Sequence, residues 1–320
     1  MTRFAIRGLL SRKLRTALTA VAIVLGVAMI SGTFVLTDSI DRAFDRIFTD
    51  IRKGSSAVIT RKSAFDITEG SGVAEPAFAE SLLAEVRALQ GVAEAEGSVD
   101  SESTQLIDEN GKVIQFGLGG APNLGFSIAN SDSRFNPLSL DSGSWPGPGE
   151  VVIDKETAAK KDLEPGQTIG VQVEGPVERF RISGIIQFSS GLTIGGATLA
   201  GFDLPTAQQL FQKQGQLDEI AVAAKPDVTD AQLVKEIRGI LPPATQVKTA
   251  AQQVESDAAE TNEFISFLRS FLLAFGGIAL FVGSFVIANS LSITIAQRTR
   301  ELATLRMLGA SRRQVLRSIV

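Results

Sequence analysis

Neither cysteine nor histidine occurs anywhere in the 320 residues. Without cysteine there are no disulfides, so any folded domain must be held by its hydrophobic core. The same two absences remove Cys/His zinc sites, His-dependent triads and thiol redox motifs. A hydrolase built from Ser, Lys, Asp or Glu alone is not excluded, but no constellation marks one. The phosphate-cradling pattern G-x-x-x-x-G-K-[ST] is also missing, so no P-loop ATP site is expected in this chain. Tryptophan occurs once, as Trp145. With no convergent set of polar residues beside it, Trp145 reads as an ordinary core or surface aromatic.

Charge is missing from two long stretches, Thr16–Thr37 and Ser270–Gln297. As helices they reach about 33 and 42 Å, enough to cross a hydrocarbon core of about 30 Å. Arg3, Arg7, Arg12, Lys13 and Arg15 precede the first; Arg298, Arg300, Arg306, Arg312, Arg313 and Arg317 follow the second. Lys and Arg near span ends collect on the cytoplasmic side, so both outer ends are expected inside the cell and everything between the spans outside it. A cleaved signal peptide fits the first stretch less well, because its apolar run exceeds the usual 7–15 residues and no A-x-A site follows. Beyond it, Ile40, Phe44, Ile47 and Phe48 keep one helical face, which predicts a stalk over 38–50. The expected plan is a cytoplasmic N-terminus (1–15), a first span (16–37), the stalk (38–50) and an extracytoplasmic domain (51–262). A stalk and second span (263–297) and a cytoplasmic end (298–320) complete it.

The region 38–268 holds 19 basic and 34 acidic residues, a net charge of −15, hidden within a total of −4. That charge keeps an outer domain soluble and argues against nucleic acid as a partner. Strands are predicted at Ala57–Thr60, Glu150–Ile153 and Glu219–Ala224, with a pair at Gly166–Val173 and Glu178–Phe188 turned by Gly175-Pro176. Within 92–117, Asn110-Gly111 signals a hairpin turn. Helices are predicted at Ala77–Gln90, Lys155–Lys161, Leu204–Gln212, Thr229–Ile240 and Ala250–Glu263, the last running into the second span. The Gly, Pro, Ser and Asn content of 119–149 and the glycines of Ser189–Gly201 predict loops. The mixture implies an α+β domain, in one lobe or two, inserted between two transmembrane helices.

The most specific stretch is Gln297–Val315. Leu302, Leu305 and Leu308, with Met307 beside them, lie on roughly one helical face, and Arg300, Glu301 and Arg306 supply charge around it. Gly309 is a natural helix stop, and Ser311 with Gln314 forms an S-x-x-Q capping box that opens a new helix. The residues alone are also compatible with an amphipathic helix on the inner leaflet. Their order resembles the R-E-[IFL]-x-x-L-[RK]-x-[LVI]-G-[AM]-[ST] signature of FtsX/MacB-type ABC transporter permeases. The basic run Arg12-Lys13-Leu14-Arg15 before the first span is similar to the family's opening. Glu150-Val151-Val152-Ile153 after Pro146-Gly147-Pro148-Gly149 looks like its MacB-like periplasmic core.

The resemblance implies a non-catalytic permease subunit in the cell membrane. A separate ABC ATPase subunit would bind ATP and Mg, leaving no cofactor in this chain. The coupling helix that docks on that subunit would comprise Arg300, Glu301, Leu302, Leu305, Arg306, Leu308, Gly309, Ala310, Ser311, Arg312 and Arg313. It further implies a second permease copy or homologous half, and work outside the membrane by mechanotransmission, export or lipoprotein and lipid handling. Ala303 departs from the Gly of many members, which a helix tolerates. Val315–Val320 looks like the start of a third span, so the sequence is expected to be part of a longer permease. A two-span sensor or receptor with an outer ligand-binding domain shares the plan. Such chains continue into a heptad-patterned signalling helix, which Gly309 interrupts here.

Overall fold

The computed structural model describes residues 13–62, 77–115, 123–128, 132–191, 196–307, 309 and 311. The chain divides into two compact units, Ala43–Ala258 and the helical segments flanking it. From the N-terminus the elements are α1 (Lys13–Ile51), β1 (Ala57–Arg61), β2 (Phe78–Ala79), α2 (Ser81–Arg87), β3 (Val92–Ser98), β4 (Asp100–Ser101), β5 (Gln105–Ile107), β6 (Asn123–Ile128) and β7 (Leu138–Gly143). Then come β8 (Glu150–Asp154), α3 (Lys155–Lys161), β9 (Thr168–Gln172), β10 (Glu178–Phe188), β11 (Thr198–Asp203) and α4 (Leu204–Leu210). The last are β12 (Gln216–Leu217), β13 (Glu219–Ala224), α5 (Asp230–Arg238), β14 (Thr245–Thr249) and α6 (Ala250–Met307).

The unit Ala43–Ala258 contains an antiparallel sheet in the order β14–β1–β13–β3 and a larger mixed sheet, β4–β6–β11–β8–β10–β9–β5, with β7 also on β10. One continuous core serves both, with Ile59, Ile220 and Ile237 from the first region and Ile153, Ile182 and Phe202 from the second. β1 lies between β13 and β14 with Ala57, Val58 and Ile59 fully buried, which is why it reads as an unbroken apolar run. Thr229 and Gln232 form a reciprocal capping box that starts α5. Asp154 starts α3 by accepting the Thr157 N–H at 2.7 Å, and its other oxygen accepts Leu199 N–H at 2.9 Å.

The strands at 57–60, 150–153 and 219–224, the 155–161 helix and the 178–188 hairpin strand form where the sequence places them. Four expectations change. The 77–90 helix shortens to α2, because Phe78-Ala79 pairs with Gln216-Leu217 as a strand. Phe78, Leu82, Leu83 and Val86 are nonetheless all buried, so the helical spacing marked the right side chains. The 119–149 loop contains β6 and β7, and the glycine-rich run ends in β11. Glycine misleads there, because it serves close packing: a Cβ on Gly125 would sit 2.2 Å from Thr104 Oγ1, and one on Gly201 2.8 Å from Val152 Cγ2. At the Asn110-Gly111 turn, Asp108 accepts both the Asn110 and Lys112 N–H groups, but among the described residues the second strand shrinks to a single bridge at Val113.

In the other unit, no proline interrupts either α1 or α6. Each contains a stretch long and apolar enough to cross a membrane, Ile23–Ile51 and Ile265–Asn289, with mean hydropathies of 1.8 and 2.4. Val24, Val35, Phe281 and Phe285 are exposed on their surfaces, as lipid-facing side chains would be.

Candidate functional site

Arg300, Glu301, Leu302, Leu305 and Arg306 occupy the last two turns of α6, with no break between them and the second span. The segment is thus the end of a 58-residue helix rather than a separate short one. Met307 and Ala303 are exposed, and Gly309 follows with a φ of +92°, the left-handed conformation that ends helices. Ser311 is exposed; Leu308, Ala310, Arg312, Arg313 and the expected following helix lie outside the described residues.

The two spans meet through small residues. A Cβ on Gly26 would lie 2.6 Å from Leu280 Cδ2, and one on Gly276 2.9 Å from Ile30 Cγ1. Such close approach of backbones is how helices pack where lipid removes the hydrophobic drive. Arg269 Nε donates to Thr37 Oγ1 and Nη2 to Asp41 Oδ2, both at 3.1 Å. The contact order, 26 with 280, 30 with 276 and 41 with 269, makes the pair antiparallel. Thr33 and Thr37 are buried and return their hydroxyl protons to the carbonyls of Met29 and Thr33. Composition does not single these residues out, although the seven-residue spacing of Arg269, Gly276 and Gly283 marks one helix face.

A family model for the MacB-like periplasmic core domain matches residues 16–240, and one for the FtsX-like permease C-terminal matches 273–320. The chain belongs to the FtsX/MacB-type permease family.

Among curated relatives, an uncharacterized ABC transporter permease protein of Mycobacterium tuberculosis is 29% identical over 171 residues, 52% of this chain and 19% of that protein. YknZ, an uncharacterized ABC transporter permease of Bacillus subtilis, is 21% identical over 328 residues, 98% of this chain and 79% of that one. The periplasmic region of MacB from Actinobacillus actinomycetemcomitans is 13% identical, covering 65% of this chain and 94% of that one at a TM-score of 0.47. For the extracellular domain of YknZ the values are 14%, 61%, 99% and 0.42. The candidate segment 300–313 falls inside the FtsX-like match, and both sheets fall largely inside the periplasmic-core match.

Within the permease's unit Ala43–Ala258, Arg52 follows the last turn of α1. Its Nη1 donates to Glu219 on β13, and its Nε and Nη2 donate to Asp257 Oδ2 on α6 at 3.3 and 3.0 Å. Burial alone would lower the guanidinium pKa, but the two carboxylates outweigh it and raise the value above that of a free arginine. Asp257 Oδ1 accepts from Gln253 Nε2 at 2.7 Å, which carries the network one turn back along α6.

At the same end of β13, Asp218, the residue before Glu219, accepts the Asp100 N–H and a Lys213 ammonium proton, at 2.9 and 2.6 Å. Loss of solvent around the Asp100 carboxyl, then the adjacent Asp218 charge, push its pKa up to about 6. A carboxyl raised in the fold binds more protons folded than unfolded, so stability falls as pH rises from about 4 to about 6 and then levels. Asp100→Asn is expected to be more stable than the parent above that window and equal to it below. The residue as a whole is exposed, so screening should hold the gain under about 1 kcal/mol. Urea unfolding at pH 4 and pH 7.5 measures it, and a gain that is the same at both excludes the titration.

Proposed function

We propose that this permease couples the nucleotide cycle of a separate ABC ATPase subunit to movement of its extracytoplasmic domain. The carrying observation is that α6 is one helix from the end of β14 to Met307, with the Arg300–Arg306 signature in its final turns. Leu302, Leu305 and Leu308 fill an apolar groove on the ATPase, while Arg300, Glu301, Arg306, Arg312 and Arg313 orient the contact at its rim. Gly309, with its left-handed φ, ends the docking element. ATP and Mg bind in the partner, and this chain does no chemistry. A packed helix displaced at one end moves as a rigid element, so work is delivered outside the membrane. A second permease copy or homologous half completes the membrane part.

The cognate ATPase, co-expressed with the chain, is expected to co-purify with it in detergent. Orientation has its own test, because the chain has no cysteine of its own. Val177 in the β9–β10 turn is 47% exposed and Met307 81%. A membrane-impermeant maleimide added to intact cells is expected to label Val177→Cys and spare Met307→Cys until the membrane is opened. Labelling in the opposite order reverses the topology.

A further inference from the structure

We propose that Arg52 is the positioning residue of the outer unit, clasping the root of α1 to the root of α6 against β13 so that residues 50–56 and 250–257 hold their places on the sheet. The proposal deepens the reading of the chain as a driven permease and, for its role in force transfer, rests on it.

Backbone topology brings the two roots together before any side chain acts. β1 lies between β13 and β14; α1 feeds β1 through the turn at 52–55, and β14 feeds α6 directly. Ser56 marks the junction: its N–H donates to Val222 O at 2.8 Å, and its carbonyl accepts Ala250 N–H, the first residue of α6, at 3.1 Å. Strand hydrogen bonds fix position along the sheet but leave a helix free to pivot about its first residue. Arg52 removes that freedom, since one planar fork reaches β13 through Glu219 and the second turn of α6 through Asp257. All three side chains are largely sealed, at 13, 22 and 19% exposure, so water screens them little. Gln253 holds the remaining Asp257 oxygen, so the carboxylate cannot swing away. A lysine would present a single ammonium and could not span both partners in this way.

Removing Arg52 alone strands two carboxylates and risks unfolding, so the test uses a variant neutral at all three positions, Arg52→Met with Glu219→Gln and Asp257→Asn. Hydrogen exchange is read on the full chain in detergent. Amides of 250–257 and 50–56 are expected to exchange about tenfold faster in the variant, while β8 and β10 keep their protection. Unchanged exchange at the roots, or an equal loss everywhere, overturns the clasp. Arg52→Lys, which preserves charge, is expected to give intermediate root exchange; full protection there would assign the effect to charge alone and overturn the fork. With the ATPase bound, a non-hydrolysable ATP analogue is expected to alter exchange in residues 132–191 of the native chain. In the neutral variant that change should vanish while persisting in 265–300. An outer response as large as the native one overturns the transfer role. No response in the native chain overturns the driven-permease reading instead, and the clasp is then decided by root exchange without nucleotide.

Discussion

Phe202→Ala is expected to destabilise the MacB-like core domain by about 3–5 kcal/mol, the cost of deleting a fully enclosed aromatic ring. Phe202 has no exposed surface and stands edge-on to Phe180 and Phe211, with ring centroids 5.2 and 6.1 Å away. Those pairings add to the burial term. The void cannot close easily, because β11 is held between β6 and β8 and Gly201 already lets Val152 and Ile128 approach its backbone. For a domain of this size the midpoint of thermal unfolding should fall by about 10 °C. Trp145 is the single tryptophan and is half-buried just after β7, so its fluorescence reports the transition directly. Phe202→Leu, which leaves a smaller void, is expected to cost clearly less. If alanine and leucine give the same small loss, the ring is not the centre of the core.

Leu305→Asp is expected to abolish co-purification with the ATPase subunit. The position lies in the last turn of α6, about one helical turn beyond Leu302. If that face enters an apolar groove, a carboxylate there loses its water without gaining a partner, and the loss corresponds to at least about a hundredfold in affinity. Membrane insertion should be unchanged, because the substitution falls past the apolar stretch that ends at Asn289. Detergent extraction followed by pull-down measures both. Co-purification that survives the substitution removes segment 300–313 as the docking element.

The parts of the fold that could be read in advance are those whose signal is local. Asp154-Lys155-Glu156-Thr157 is a capped helix start whatever surrounds it, and Thr229 with Gln232 closes its own capping box. The glycines of 119–149 and 189–201 carry the opposite lesson. Gly125 and Gly201 have the composition of loop, yet each is a sheet residue whose missing side chain makes room for Thr104 or Val152. Arg52, with partners 167 and 205 residues away, and Arg269, with partners 228 and 232 away, carry no local mark at all.

Sequence by itself determined two apolar spans, an acidic region between them, a cysteine-free core and the ordered signature at 300–311. Each is a property of neighbouring residues: hydropathy over a bilayer's length, charge counted along the chain, apolar side chains repeating at helical spacing. Only the tertiary structure decided which glycines are packing contacts, that β1 sits between β13 and β14, and that one arginine reaches both helix roots. Those depend on which distant segments pair, and pairing is selected by burial and hydrogen-bond satisfaction across the whole unit, which no short window of sequence contains.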